Sequence, residues 1–210
     1  MTAAVDLYAG SLRQDSGPLV LHDELGGRRA LPVEIWTATH VPGDESLVTR
    51  CKGATLDVGC GPGRLVLAIG ARGLPCLGVD IAPGAVRLAR SRGALVLGRS
   101  IFARLPGRGR WQTALLADGN IGIGGDPIGL LERLGELLSP NGQVLVELEE
   151  PGVRTRPTKV RIEHDGQVSD WFDWAHVSVD HAEQVASGAG FTLHETWKEA
   201  GRWFVALARP

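Results

Sequence analysis

A mostly parallel α/β sheet with helices on both faces is the architecture this sequence predicts, on three observations. From Ala54 onward, apolar runs alternate with amphipathic segments; Leu56-Asp57-Val58-Gly59-Cys60-Gly61-Pro62-Gly63-Arg64 joins an apolar run to a helix through closely spaced glycines; and a second apolar run closes at Asp80. A parallel crossover needs a helix to return the chain, so strands alternating with helices imply a parallel sheet.

Residues 1–52 read as an N-terminal cap, with a short helix at 5–13, short strands at 19–22 and 30–35 around Gly26-Gly27, and a turn at Pro42-Gly43. The core, 53–150, follows as strand 54–58, helix 63–72, strand 76–80, helix 83–92 and strand 94–98. A strand at 113–117 comes next, then a helix at 127–138 with Asp126 as its N-cap and Pro127 at its first position, and a strand at 144–148. Ser139-Pro140-Asn141-Gly142 punctuates the helix-to-strand turn. Residues 151–179 form a hairpin insertion, its strands at 159–163 and 168–177 flanking Asp165-Gly166. In 180–210, a helix at 180–189 precedes strands at 191–198 and 202–208, whose short Glu199-Ala200-Gly201 connection predicts antiparallel pairing.

At 210 residues the chain suits a single domain, able to bury roughly 70% of its unfolded surface. A hydrophobic content of 43% with 22% charged residues excludes a disordered chain. The formal charge of −2 argues against a surface that neutralises many phosphates, so no nucleic-acid partner is expected, and Arg99, Arg104, Arg108 and Arg110 read as a solvated loop. Cys51, Cys60 and Cys76 lack zinc spacing, so neither disulfides nor a metal site is expected. Residues 1–14 show no basic region followed by an apolar run, and no stretch reaches the ~20 apolar residues a membrane helix needs. The expectation is a cytoplasmic protein with no membrane partner.

The glycine turn lets a ligand approach the backbone and presents unpaired helix N–H groups to it. Asp80 ends the next strand, and an ionised carboxylate accepts both hydroxyl donors of a ribose diol. A dinucleotide fingerprint counted from Gly59 and Gly61 requires glycine at position 64, where this chain has Arg64. On these residues the sequence resembles the class I S-adenosylmethionine-dependent methyltransferases, over about 54–149 by motif and 180–208 by element order. The resemblance implies a three-layer, Rossmann-like, seven-stranded sheet with a reversed C-terminal strand. It also implies S-adenosyl-L-methionine as cofactor, beside Asp57, Gly59, Cys60, Gly61, Gly63 and Asp80. Ile81 is placed to pack on the adenine, and Asp57 to hold the glycine loop or the cofactor's ammonium group. Where many relatives place an acid for the adenine amino group, this chain has Ser100, with the Ile101 backbone beside it.

Asp118-Gly119-Asn120 follows the fourth core strand at the carboxyl edge of the sheet, bordering the reactive methyl group. Asp118 is grouped with the cofactor contacts and Asn120 with the acceptor; both equally suit a turn. Trp171, Phe172, Trp174 and His176 make a dense aromatic group, and Trp36 and His40 in the cap face it across the cleft, for an apolar acceptor pocket. His40 and His176 are the candidates for a base if the acceptor must lose a proton. The function this implies is methyl transfer to a small-molecule acceptor. A non-catalytic protein that binds S-adenosylmethionine or S-adenosylhomocysteine is the second reading.

Overall fold

The computed structural model describes residues 3–13 and 16–209, so the opening segment read above for a leader lies partly outside the described residues. α1 (Ala4–Ser11), β1 (Val20–Asp23), β2 (Arg28–Ala30), α2 (Val33–Thr37) and α3 (Asp44–Arg50) precede the core. β3 (Thr55–Val58), α4 (Arg64–Ala71), β4 (Cys76–Asp80), α5 (Pro83–Ser91), β5 (Val96–Gly98), β6 (Trp111–Leu116), α6 (Pro127–Leu137) and β7 (Leu138–Leu148) then alternate, with a 3-10 segment at Asn120–Gly125. β8 (Arg156–His164), β9 (Gln167–Val168), β10 (Phe172–His176), α7 (Ala182–Gly188), β11 (Thr192–Glu199) and β12 (Arg202–Ala208) complete the chain.

Seven strands form the main sheet in the order β11-β12-β7-β6-β3-β4-β5. The pairs from β7 to β5 are parallel, and β12 runs antiparallel to both neighbours. The reversed last strand is therefore present. Both faces of the sheet are covered, which is why β3 is buried at all four positions and β6 at its last four. On one face, Leu130, Leu131, Leu134 and Leu137 of α6, spaced to share one helix side, pack with α7 on Leu56, Leu116, Val144 and Val205. On the other, Leu47 of α3, Leu65 and Ile69 of α4 and Val86 of α5 meet Leu115, Leu145 and Phe204.

A second sheet, ordered β10-β8-β1-β2 with β9 beside β8, is antiparallel throughout. Cap and insertion thus share one sheet, with Leu21 opposite Ile162. Asp165 and Gly166 both take positive φ, 47° and 73°, the geometry of a two-residue hairpin. Leu7, Leu19, Leu21, Val160 and Ile162 form this layer's core, with Tyr8, Trp36, Phe172 and Trp174 packed against it.

Three local expectations change. The strand at 30–35 stops at Ala30, because Pro32 lacks an N–H for pairing and instead precedes α2. The strand at 168–177 is split, with β10 starting at Phe172. Ser139 to Gly142 is extended strand rather than a turn: β7 begins at Leu138, and a register shift between Trp111 and Thr113 absorbs the extra residues. Asp126 does cap α6, accepting from the Gly129 N–H at 3.0 Å. Among the described residues, no helix is long and apolar enough to cross a membrane.

Candidate active site

A cavity of about 670 Å³ lies between the carboxyl ends of β3, β4, β6 and β7 and the inner face of the antiparallel sheet. Ligand sites of open α/β sheets form at this edge. Its floor includes the loop after β3, Asp80, Ile81, Ser100 and Phe102; Leu21, Trp36, Ile162, Phe172 and Trp174 form its roof.

The loop after β3 takes φ of 70° at Gly59 and 51° at Gly61, a region that side chains disfavour. A Cβ on Gly61 would stand 2.9 Å from the Tyr8 hydroxyl, and one on Gly59 would meet the Asn120 amide. Asp80 holds this loop: its Oδ2 accepts from the Gly61 N–H at 2.8 Å and its Oδ1 from the Ala82 N–H at 2.7 Å. Each oxygen keeps a second lone pair for a ligand hydroxyl. Burial nonetheless raises the Asp80 carboxyl above its ordinary value, against these backbone hydrogen bonds.

Asp57 does not tie the loop. It is 2% exposed, lines the cavity, and burial pushes its carboxyl up to about 7, opposed by the Arg64 charge. Asn120 does tie it, donating through Nδ2 to the Val58 and Gly59 carbonyls at 3.0 Å each. Cys60 lines the cavity, but burial raises its thiol far above the usual range and leaves it un-ionised. Gly63 lies off the cavity: it opens α4, where a Cβ would press on Ala89 and Ala94, so its role is helix packing. Ser100 Oγ accepts from the Phe102 N–H at 3.2 Å, and the Ile101 carbonyl accepts from Arg133 Nε at 3.0 Å.

Beneath the loop lies a charged network. Arg64 pairs with Asp44 and, at 2.6 Å, with Asp118. Arg202 meets Glu147 through two contacts at 2.8 and 2.7 Å and Asp44 at 2.9 Å. Asp118 has φ of 54°, and its N–H donates to Glu147 at 2.7 Å. Its carboxylate is thus taken up by arginines, and its backbone borders the cavity. Buried charges persist only when paired in this way.

In the roof, the Trp36 ring meets Tyr8 edge-on at 5.6 Å and Trp174 meets Phe172 edge-on at 6.4 Å. His176 Nδ1 lies 3.0 Å from Glu149 Oε1; that bond holds Glu149 below the usual carboxylate range, helped by Arg29. Two expected residues are elsewhere. Trp171 is 43% exposed under the Arg161 guanidinium, because the period of two along β10 turns Phe172, Trp174 and His176 inward and leaves Trp171 out of phase. His40 is exposed in the connector after α2, where Val41 is the buried anchor. Among the glycines after Asp118, Gly119 serves the turn through its φ of 81°, whereas Gly122 serves packing: a Cβ there would collide with Ala175 and Trp174 of β10.

Sequence reasoning missed Tyr8, Arg29 and Glu149, all on the cavity wall. Tyr8 is the one tyrosine in the chain and belongs to no motif. Burial, then Asp80, raises its phenol well above the ordinary value, so it stays protonated. Glu149 did carry a signal, a carboxylate just beyond the carboxyl end of a parallel strand.

Residues 56–101 match the family described as methyltransferase domain. A SAM-dependent methyltransferase from Bacteroides fragilis, solved with S-adenosyl-L-homocysteine, is similar over 100% of this chain and 97% of that one, with TM-score 0.83 and 21% identity. The Burkholderia thailandensis 1,6-didemethyltoxoflavin-N1-methyltransferase, solved with 1,6-didemethyltoxoflavin and S-adenosylhomocysteine, is similar over 79% of this chain and 76% of that one, with TM-score 0.58 and 17% identity. Streptomyces venezuelae DesVI is similar over 80% of this chain and 90% of that one, with TM-score 0.59 and 16% identity. Among curated proteins no sequence matches the chain. The fold is that of the class I S-adenosylmethionine-dependent methyltransferases. Within it, residues 56–101 carry the methyltransferase-domain pattern.

Proposed function

We propose that this protein is an S-adenosylmethionine-dependent methyltransferase whose small-molecule acceptor lies beneath the antiparallel sheet. The observation that carries this reading is the Gly59 to Gly61 loop, tied to Asp80 by a 2.8 Å hydrogen bond where β3 and β4 open into the cavity. Side chains at Gly59 and Gly61 would run into Asn120 and Tyr8, and the Asp57 carboxylate beneath the loop accepts no hydrogen bond from a described side chain, so the cradle fits a ligand carrying hydroxyl and ammonium donors.

Asp80 binds the ribose hydroxyls through its remaining lone pairs, Asp57 faces the ammonium group, and Ile81, Phe102 and Ser100 line the adenine end. When bound, S-adenosylmethionine supplies an electrophilic methyl group on a sulfonium and leaves as S-adenosylhomocysteine. The protein contributes position and dryness: Tyr8 and Trp36 close the cavity from the cap, Phe172 and Trp174 from the insertion, holding an acceptor in line and excluding water. Asn120 acts through the glycine loop rather than on the acceptor. The net charge of −2 supports an acceptor other than nucleic acid.

Incubation with methyl-labelled S-adenosylmethionine and a metabolite extract tests the reading. Labelled small-molecule product and stoichiometric S-adenosylhomocysteine are expected; tight cofactor binding with no product across broad extracts would favour the non-catalytic alternative.

A further inference from the structure

Arg29 lines the cavity from β2, the strand at one edge of the antiparallel sheet. Leu21 of β1 is in register with Arg29 on one side and with Ile162 on the other, so the three form a row across β2, β1 and β8, and all three line the cavity. Strand alternation turns Arg28 to the opposite face, where it pairs with Glu163 at 3.1 Å. Arg29 is exposed, which puts it where the cavity opens to solvent. Among the described residues it makes no hydrogen bond or ion pair; its charge is felt at Glu149, whose Oε1 is already bonded to His176.

The other two arginines of the cavity are committed. Arg64 is held between Asp44 and Asp118, and Arg99, beside Ser100 at the adenine end, donates through Nη1 to the Arg104 carbonyl at 2.8 Å. Next to Arg29 the wall is apolar, with Leu19, Leu21, Leu31 and Trp36 in one packed group.

We propose that Arg29 selects the acceptor by binding a carboxylate on it, so that the acceptor is a monocarboxylate with an apolar body, its acid at the cavity mouth and its methylated atom further in. The inference rests on the methyltransferase reading. A guanidinium presents its donors as a planar fork that matches the two oxygens of a carboxylate, and the leucines beside it take the carbon skeleton. One uncommitted cation matches one negative charge. A phosphate dianion would bring a second charge towards Glu149, Glu147 and Asp57, which line the same cavity.

Octanoate is the probe, with octanamide as its uncharged isostere and octyl phosphate as the dianion, each titrated calorimetrically at neutral pH into protein saturated with S-adenosylhomocysteine. Wild type is expected to bind octanoate about fivefold more tightly than octanamide, the scale of a partly exposed ion pair, and more tightly than octyl phosphate. R29Q is expected to bring octanoate down to octanamide while still binding S-adenosylhomocysteine, R29K to keep part of the preference, and R99Q to keep all of it. Should R29Q fail to fold, R29K decides, since an undiminished preference there removes the fork from the explanation. Equal binding of octanoate and octanamide by wild type would overturn the proposal, as would a folded R29Q that keeps the preference or a wild type that favours octyl phosphate. A wild type that binds no S-adenosylhomocysteine instead overturns the methyltransferase reading, and this inference with it.

Discussion

The Gly61 N–H donates to Asp80 Oδ2 at 2.8 Å, so the acid that ends β4 also sets the shape of the loop that ends β3. One carboxylate thereby joins two parts of the sequence motif into one cradle. Loop and acid are coupled, and variants at either should act on the other.

At Gly61, substitution tests the cradle's backbone. With φ of 51° and the Tyr8 hydroxyl 2.9 Å from any added Cβ, G61A should cost about 1–2 kcal/mol of stability. Urea unfolding measures that cost. Calorimetry should show a loss of S-adenosylhomocysteine affinity of roughly tenfold or more, because the same methyl group intrudes on the ligand face.

Asp57 predicts a pH dependence. Its carboxyl titrates at about 7 in the folded chain against 3.8 ordinarily, chiefly through burial. The folded state therefore holds more protons than the unfolded state between these values, and stability attributable to this group falls as pH rises from about 4 to 7. D57N should flatten that slope. Binding should move oppositely, since only the ionised form attracts an ammonium group: wild-type affinity for S-adenosylhomocysteine should climb by up to roughly tenfold per unit as pH approaches 7. Isothermal titration at pH 5.5, 6.25 and 7 reads this, and a D57N profile as steep as wild type would remove Asp57 from the explanation.

Arg64 neutralises Asp44 and Asp118 in a nearly solvent-free setting. Truncation in R64A leaves two carboxylates short of a partner and should lower stability by about 3–5 kcal/mol, read by chemical denaturation. A variant that also removes Asp44 should recover part of that loss.

Trp171, just before β10, and Trp174 within it lie on opposite faces of the antiparallel sheet. W174A removes a ring packed against Gly122 and should cost about 3–5 kcal/mol. W171A loses only a stacking contact with Arg161, worth about 0.5–1 kcal/mol. Comparable melting temperatures for the two variants would reverse the assignment of faces.

The local signals explain what was legible beforehand. Asp57, Gly59, Gly61 and Asp80 are consecutive punctuation in a repeating strand-helix pattern, and their places in the fold follow from strand ends and glycine turns. The roof is different: Leu21 pairs with Ile162 across antiparallel strands far apart in the chain, a register that no local pattern encodes. Tyr8 reaches the site only because α1 lies over the glycine loop. Glu149 finds His176 through the return of β10 beside β8 and the end of β7. The aromatic group was read as a whole, whereas strand phase keeps Trp174 and removes Trp171. His40 failed for a similar reason, since proximity to Trp36 in sequence does not survive the turn out of α2.

Binding of S-adenosylhomocysteine to wild type and D80A, measured by calorimetry with folding checked by circular dichroism, tests the central claim most directly. The site described here predicts clear wild-type binding and a loss of at least about a hundredfold in D80A, because the variant removes both the proposed ribose acceptor and the Gly61 tether. A folded D80A protein that binds as tightly as wild type would contradict it.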